Sequence, residues 1–126
     1  MVRALHSGLL THGDLARAAL AEVPLGEGGL RFTERLIELL GLGDLPRQVV
    51  AYGCDLLTLY AIATAYEEAA RDDAYVADVR AYLGALPEDR FPHLAALGGL
   101  LGAEERFEFG LDVLVTGLAA YGRPGA

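Results

Sequence analysis

The sequence contains no lysine; its ten basic residues are all arginine, scattered singly through 126 residues of net charge −8. A nucleic-acid surface needs clustered cations to displace counterions from phosphates, and no such cluster exists here. The chain by itself is not expected to bind DNA. A single cysteine, Cys54, excludes an intrachain disulfide and a thiolate metal cluster. The N-terminus lacks the charged, apolar and small-residue regions of a signal peptide. No apolar stretch is expected to reach the ~18–20 residues that cross a bilayer, so a cytoplasmic chain without a membrane partner is predicted. Strand-type alternation is nowhere sustained, and β-branched residues are sparse.

Apolar material, by contrast, is abundant. The hydrophobic fraction of 53% exceeds the usual ~45–50% of globular domains. One domain of this length buries roughly two-thirds of its unfolded surface, so a surplus is left for an internal pocket or for oligomerisation.

Helical periodicity persists along the chain and predicts an all-α bundle of six or seven helices. Val2 to Leu10 reads as a first short helix and Leu15 to Glu22 as a second, which stops near Pro24. Gly26 to Gly29 reads as a flexible linker, followed by a helix through Phe32, Leu36, Leu39 and Leu40 that ends at Gly41-Leu42-Gly43. Asp44 is the expected N-cap of a long helix from Pro46 to Arg71. Asp72 or Asp73 should cap the next helix, and Leu86-Pro87-Glu88-Asp89 should form a turn. Pro92 opens a short helix to Leu101 that Gly98-Gly99 weakens. The last helix is predicted from Ala103 to Tyr121, with Gly122 to Gly125 fraying beyond it.

No catalytic or metal-binding pattern stands out, and no cofactor is implied. His6, His12 and His93 form no ligand pair, and Cys54 has no neighbour in sequence that would activate it. The Gly26–Gly29 segment has neither the strand before nor the Lys-Ser/Thr after that a phosphate cradle requires. The long helix is richer. Tyr52, Asp55, Leu56, Leu59, Ala63 and Tyr66 recur at three-to-four spacing on one face, a mixture of rings, a hydroxyl and a carboxylate suited to a small-molecule pocket. Ordinary helix packing would use the same residues. Asp55 weighs most, because a carboxylate within an apolar helix must reach solvent or a partner.

The last helix divides into two stripes. Phe107, Leu111, Leu114, Val115 and Leu118 suit the domain core. Gly110, Val113, Gly117 and Ala120, with Phe109 beside them, suit close approach of another helix. Glycine inside a helix costs roughly 0.5–1 kcal/mol against alanine, so we expect a subunit interface there, with packing inside the subunit as the other reading.

Three runs together resemble a known family. They are Arg90-Phe91-Pro92-His93-Leu94, Glu105-Arg106-Phe107-Glu108-Phe109-Gly110-Leu111-Asp112 continuing through Leu118, and the long helix ending Tyr66-Glu67-Glu68. They look like the C-terminal ligand-binding and dimerisation domain of the Tet repressor (TetR) family of bacterial transcriptional regulators, and the resemblance covers nearly the whole chain. It implies a homodimer built on a four-helix bundle of the long and last helices, and a cavity among the first helices for a hydrophobic small-molecule effector. It also implies DNA binding only through an N-terminal helix-turn-helix head that has no counterpart here. Val2 to Leu10 resembles the tail of the helix that joins head to body, which implies a piece of a longer repressor. The competing expectation is a stand-alone helical module that binds a protein or a small molecule without DNA.

Overall fold

Proline and aspartate punctuate this chain, and apolar stripes dictate how the resulting helices stack. A computed structural model describes residues 1–23, 25–103 and 105–122. Its helices are α1 (Val2–Leu10), α2 (Gly13–Ala21), α3 (Glu27–Gly41), α4 (Arg47–Ala70), α5 (Asp73–Gly84), α6 (Pro92–Leu97) and α7 (Arg106–Ala119), with a 3-10 turn at Gly98–Leu100 after α6. The described residues contain no strand.

Several helix ends follow the expected chemistry. The Asp72 side chain accepts a hydrogen bond from the Tyr75 amide at 2.7 Å and caps α5. Pro92 occupies the first turn of α6, and the helix tightens into the 3-10 turn at Gly98. A Cβ at Gly98 would lie 3.1 Å from the Leu83 Cβ, so glycine is what lets this turn close on α5.

Other ends differ from expectation. Gly28 and Gly29 are not linker; they form the first turn of α3, capped by extended Gly26. Pro46, not Asp44, stands at the N-cap of α4. Asp44 instead adopts φ of 50° in the turn after α3, a left-handed conformation that aspartate tolerates better than most residues. The last helix is shorter than predicted at both ends. Pro24 and the segment 123–126, where fraying was expected, lie outside the described residues.

α4 organises the body, because α1, α2, α3 and α7 all pack on it. By length and composition alone it could cross a membrane, contrary to the sequence expectation: it has 24 residues and a best-window mean hydropathy of 1.4. Its apolarity has a packing explanation. Cys54, Leu57, Ala61 and Ala65 are buried under neighbouring helices, and fully burying one leucine contributes ~1.5–3 kcal/mol. Small residues set the close approaches. Gly53 admits the Leu118 side chain of α7, and Gly13 of α2 faces Ala69. Val2, Leu36, Phe107 and Leu111 complete the core, with Leu114 and Leu118 half-buried against it. Val115, expected in the core, is 51% exposed, because the Phe107-Leu111-Leu114-Leu118 line already fills the α4 contact.

A ring stack ties α1, α4 and α7 together. His6 lies flat on Phe107 with centroids 3.7 Å apart, and Tyr60 also stacks on Phe107 at 5.5 Å. His6 Nε2 lies 3.2 Å from Glu68 Oε2, off the axis of a hydrogen bond. The Tyr60 hydroxyl donates to the carbonyls of Arg106 (3.0 Å) and Phe107 (3.1 Å), and burial pushes its pKa above the ordinary value. The Cys54 thiol is likewise pushed up, first by burial and then by the Asp55 carboxylate, which leaves it inert at neutral pH.

Tyr60 reaches those carbonyls only because Gly110 has no side chain; a Cβ there would sit 2.0 Å from the hydroxyl oxygen. Gly110→Ala should therefore destabilise the fold by about 1–3 kcal/mol. In a Tyr60→Ala background the same substitution should become neutral or stabilising, since alanine is the better helix former by roughly 1 kcal/mol. Chemical denaturation of the two singles and the double measures this coupling.

A cavity among four helices and an outward face on two

Where α2 stops and α3 begins, the chain turns back over α1 and α4 and leaves a cavity of about 690 Å³. Leu5 and Leu9 of α1 and Leu15, Ala18 and Ala19 of α2 line two sides. Phe32 and Thr33 of α3 and Thr58 and Ile62 of α4 line the others. Glu22, Val23 and Leu25, all exposed, form the mouth. The volume lies within the ~300–1,000 Å³ of drug-sized ligand sites, and a mainly apolar lining with few polar groups is their usual chemistry.

Those polar groups are specific. The Thr33 hydroxyl donates to the Gly29 carbonyl at 3.0 Å and keeps its lone pairs free to accept. Thr58 stands beside the Cys54 thiol. Among the described lining residues Glu22 is the one ionisable side chain. A second depression of about 580 Å³ runs along the outer side of α3 between Glu27, Arg31, Glu34, Arg35 and Glu38. Formed by one helix and open to solvent, it encloses nothing.

None of the six α4 residues expected at a ligand site lines this cavity. Tyr52 (63% exposed), Asp55, Leu56, Leu59 and Tyr66 face solvent, and Ala63 is half-buried. The physical reason is rotational. At 100° per residue, Thr58 and Ile62 lie well round the helix from the stripe centred on Leu59 and Ala63, and only they reach the cavity. Because α4 is apolar around its circumference, periodicity found a stripe without saying which one the other helices cover.

The expected interface stripe on α7 divides in a similar way. Phe109 (72% exposed), Val113 (51%), Gly117 and Ala120 are uncovered. A Cβ at Gly117 would meet nothing within 4 Å. Gly110 is half-buried under Tyr60 of its own chain, so an intramolecular contact accounts for its small size. Both helices therefore leave apolar side chains uncovered, Leu56 and Leu59 on α4 and Phe109 and Val113 on α7. α5, α6 and the 3-10 turn pack on one another and, among the described residues, on no other helix; Tyr82 (69% exposed) and Leu100 (71%) are among the apolar side chains they leave open.

Residues 1–121 match the family described as tetracyclin repressor-like, C-terminal domain. The structure is similar to apo ActR from Streptomyces coelicolor, with a TM-score of 0.85 and 39% identity over 95% of this chain and 60% of that one. It is also similar to ActR in complex with actinorhodin, at a TM-score of 0.86 and 38% identity, over 95% of this chain and 61% of that one. The S. coelicolor transcriptional regulator SCO7222, a TetR, shares the fold at a TM-score of 0.82 with 23% identity, over 98% of this chain and 62% of that one. The chain thus spans about 60% of the length of the solved proteins it matches first. No curated protein sequence matches it.

Ala19→Phe should obstruct part of the cavity without disturbing the α4 core. Its melting temperature should stay near that of the parent chain, while stabilisation by any ligand of the cavity is lost; differential scanning fluorimetry reads both.

Proposed function

Since the chain belongs to the tetracycline repressor-like regulators, as their C-terminal domain, we propose that it senses a small apolar molecule in the α1–α4 cavity. We propose further that it passes the response, without catalysis, to a DNA-reading head outside this chain. The observation that carries this reading is the cavity itself, because α1 forms one of its walls and also stacks on α7 through His6. A ligand that prefers one arrangement of α1 shifts the population of states by its differential affinity. Two heads bind DNA together only when their spacing fits successive major grooves, roughly 34–36 Å. The complex of ActR with actinorhodin supports a small-molecule effector in a relative. Such a regulator works in the cytoplasm, beside its DNA.

Two copies are needed for that spacing, and we assign the uncovered apolar sides of α4 and α7 to the dimer. Tyr52, Leu56, Leu59 and Tyr66 of α4 and Phe109, Val113, Gly117 and Ala120 of α7 would pair with themselves across a two-fold axis. The α4 stripe would thus serve the interface and not the ligand. Asp55, exposed at its margin, would then face solvent or a polar partner group. The uncovered apolar side chains of α5, α6 and the 3-10 turn would also find their cover on the second subunit.

Two measurements check this reading. A Cβ at Gly117 meets no described atom within 4 Å and leucine gains helix propensity, so the folded monomer should tolerate Gly117→Leu. Light scattering should nevertheless show dimer converting to monomer; an unchanged dimer removes α7 from the interface. For the sensor, a thermal-shift screen of polycyclic aromatic compounds should find stabilisers, since a ligand at ~100 times its Kd contributes ~2.7 kcal/mol. A protein-docking module without a ligand site would show none.

A further inference from the structure

The weak point of the body lies where α1 meets α4 and α7. Leu5 and Leu9 on one side of α1 wall the cavity, while Val2 and His6 turn into the core. No Cα of α1 lies within 8 Å of one in α7, so side chains alone join these two helices. Arg3 Nε donates to both carboxylate oxygens of Glu108, at 2.7 and 3.0 Å, but this pair is exposed and holds weakly. The buried link is His6 on Phe107. Its neighbours are satisfied: the Thr64 hydroxyl donates to the Tyr60 carbonyl at 2.6 Å, and the Tyr60 hydroxyl donates to carbonyls of α7. His6 Nε2 is not. Among the described residues it is the one buried side-chain polar atom without a hydrogen-bond partner.

A phenyl ring in this place would stack on Phe107 and bury no polar atom, so the imidazole weakens the very contact that seats α1. Glu68 Oε2 stands 3.2 Å from Nε2; the distance of a hydrogen bond is met and only its direction is wrong. A small rotation of α1 would bring an Nε2–H into line with this carboxylate, which is partly exposed and free to follow, and would give up ring overlap with Phe107. Stack without hydrogen bond and hydrogen bond without stack are two discrete arrangements of one contact, and packed elements switch between such arrangements. Leu5 and Leu9 turn with α1, so the cavity changes width in the same movement. We propose that His6 and Glu68 form a release point for α1: the helix exchanges between the seated position of this structure and a rotated one in which Nε2 donates to Glu68, and a molecule in the cavity selects between the two.

Selection by a ligand rests on the cavity being the effector site; the exchange itself is tested on the 126-residue chain without one. Methyl relaxation dispersion at Leu5 and Leu9 reads motion on the microsecond-to-millisecond scale, where helix shifts fall. The parent chain should show exchange at both residues. His6→Phe keeps a stacking ring and removes its nitrogens. It should lower the rotated population about tenfold, the factor expected of one orphaned polar group, and leave the melting temperature unchanged or higher. Glu68→Ala removes the acceptor and should also quench the exchange, whereas Glu68→Gln retains an acceptor oxygen and should preserve it. A histidine that only fills space would leave the two Glu68 variants alike. Quiet methyls in the parent, exchange that survives His6→Phe or Glu68→Ala, its loss in Glu68→Gln, or a clear drop in melting temperature for His6→Phe overturns the release point. If the exchange follows the expected order but the thermal-shift screen finds no stabiliser, the release point stands and the effector-cavity reading falls. A stabiliser found alongside quiet methyls has the opposite meaning.

Discussion

The structure depends on covering one helix. α4 has apolar side chains on every side of its 24 residues, and a helix of that kind is stable in water only when neighbours shield most of its circumference. α1, α2, α3 and α7 do so, and each brings a matching device: Val2 and Leu5, Ala16, Leu36, or Phe107 with Leu111. Each large buried side chain contributes ~1.5–3 kcal/mol against a net domain stability of only ~5–15 kcal/mol. Loss of any one of these covers would therefore be felt throughout the body.

The covering is incomplete in two places, and both gaps fall on α4. Around its axis the buried arc runs through Cys54, Leu57, Ala61 and Ala65. The flank at Thr58 and Ile62 borders the cavity, and the arc through Leu56, Leu59 and Ala63 stays outward. A ligand would close the first gap and a second subunit the other. Both events would then act on one rigid element, and coupling between them needs no long path. The His6–Phe107–Tyr60 stack adds a link from α1 to the same helix and to α7. His6 and Phe107 are buried and Tyr60 is half-buried against them, so a shift of α1 is felt at both helices.

Much of the fold was legible from the residues. Asp72, Pro87 and Pro92 mark their helix boundaries because capping and the missing proline N–H act within one turn of chain. The Phe107-Leu111-Leu114-Leu118 line was readable as core because α7 also carries a contrasting outward side. Gly28 and Gly29 were less legible, since glycine weakens a helix by only ~1 kcal/mol and the rest of α3 outweighs it. Asp44 resembled a cap, but the turn from α3 into Pro46 left it in the left-handed region.

The candidate site was legible only as an arrangement of stripes. The sequence by itself determined that this chain is helical, short of cations, over-supplied with apolar surface, and patterned like the sensing domain of a repressor. The first three follow from composition and from spacings of a few residues; the last is a resemblance to a family. Tertiary structure alone decided which side of α4 meets the cavity and which meets solvent, and that Gly110 yields space to Tyr60 of its own chain. The reason is rotational symmetry: a helix that is apolar all round has no preferred face of its own. Only the positions of α1, α2, α3 and α7 select one.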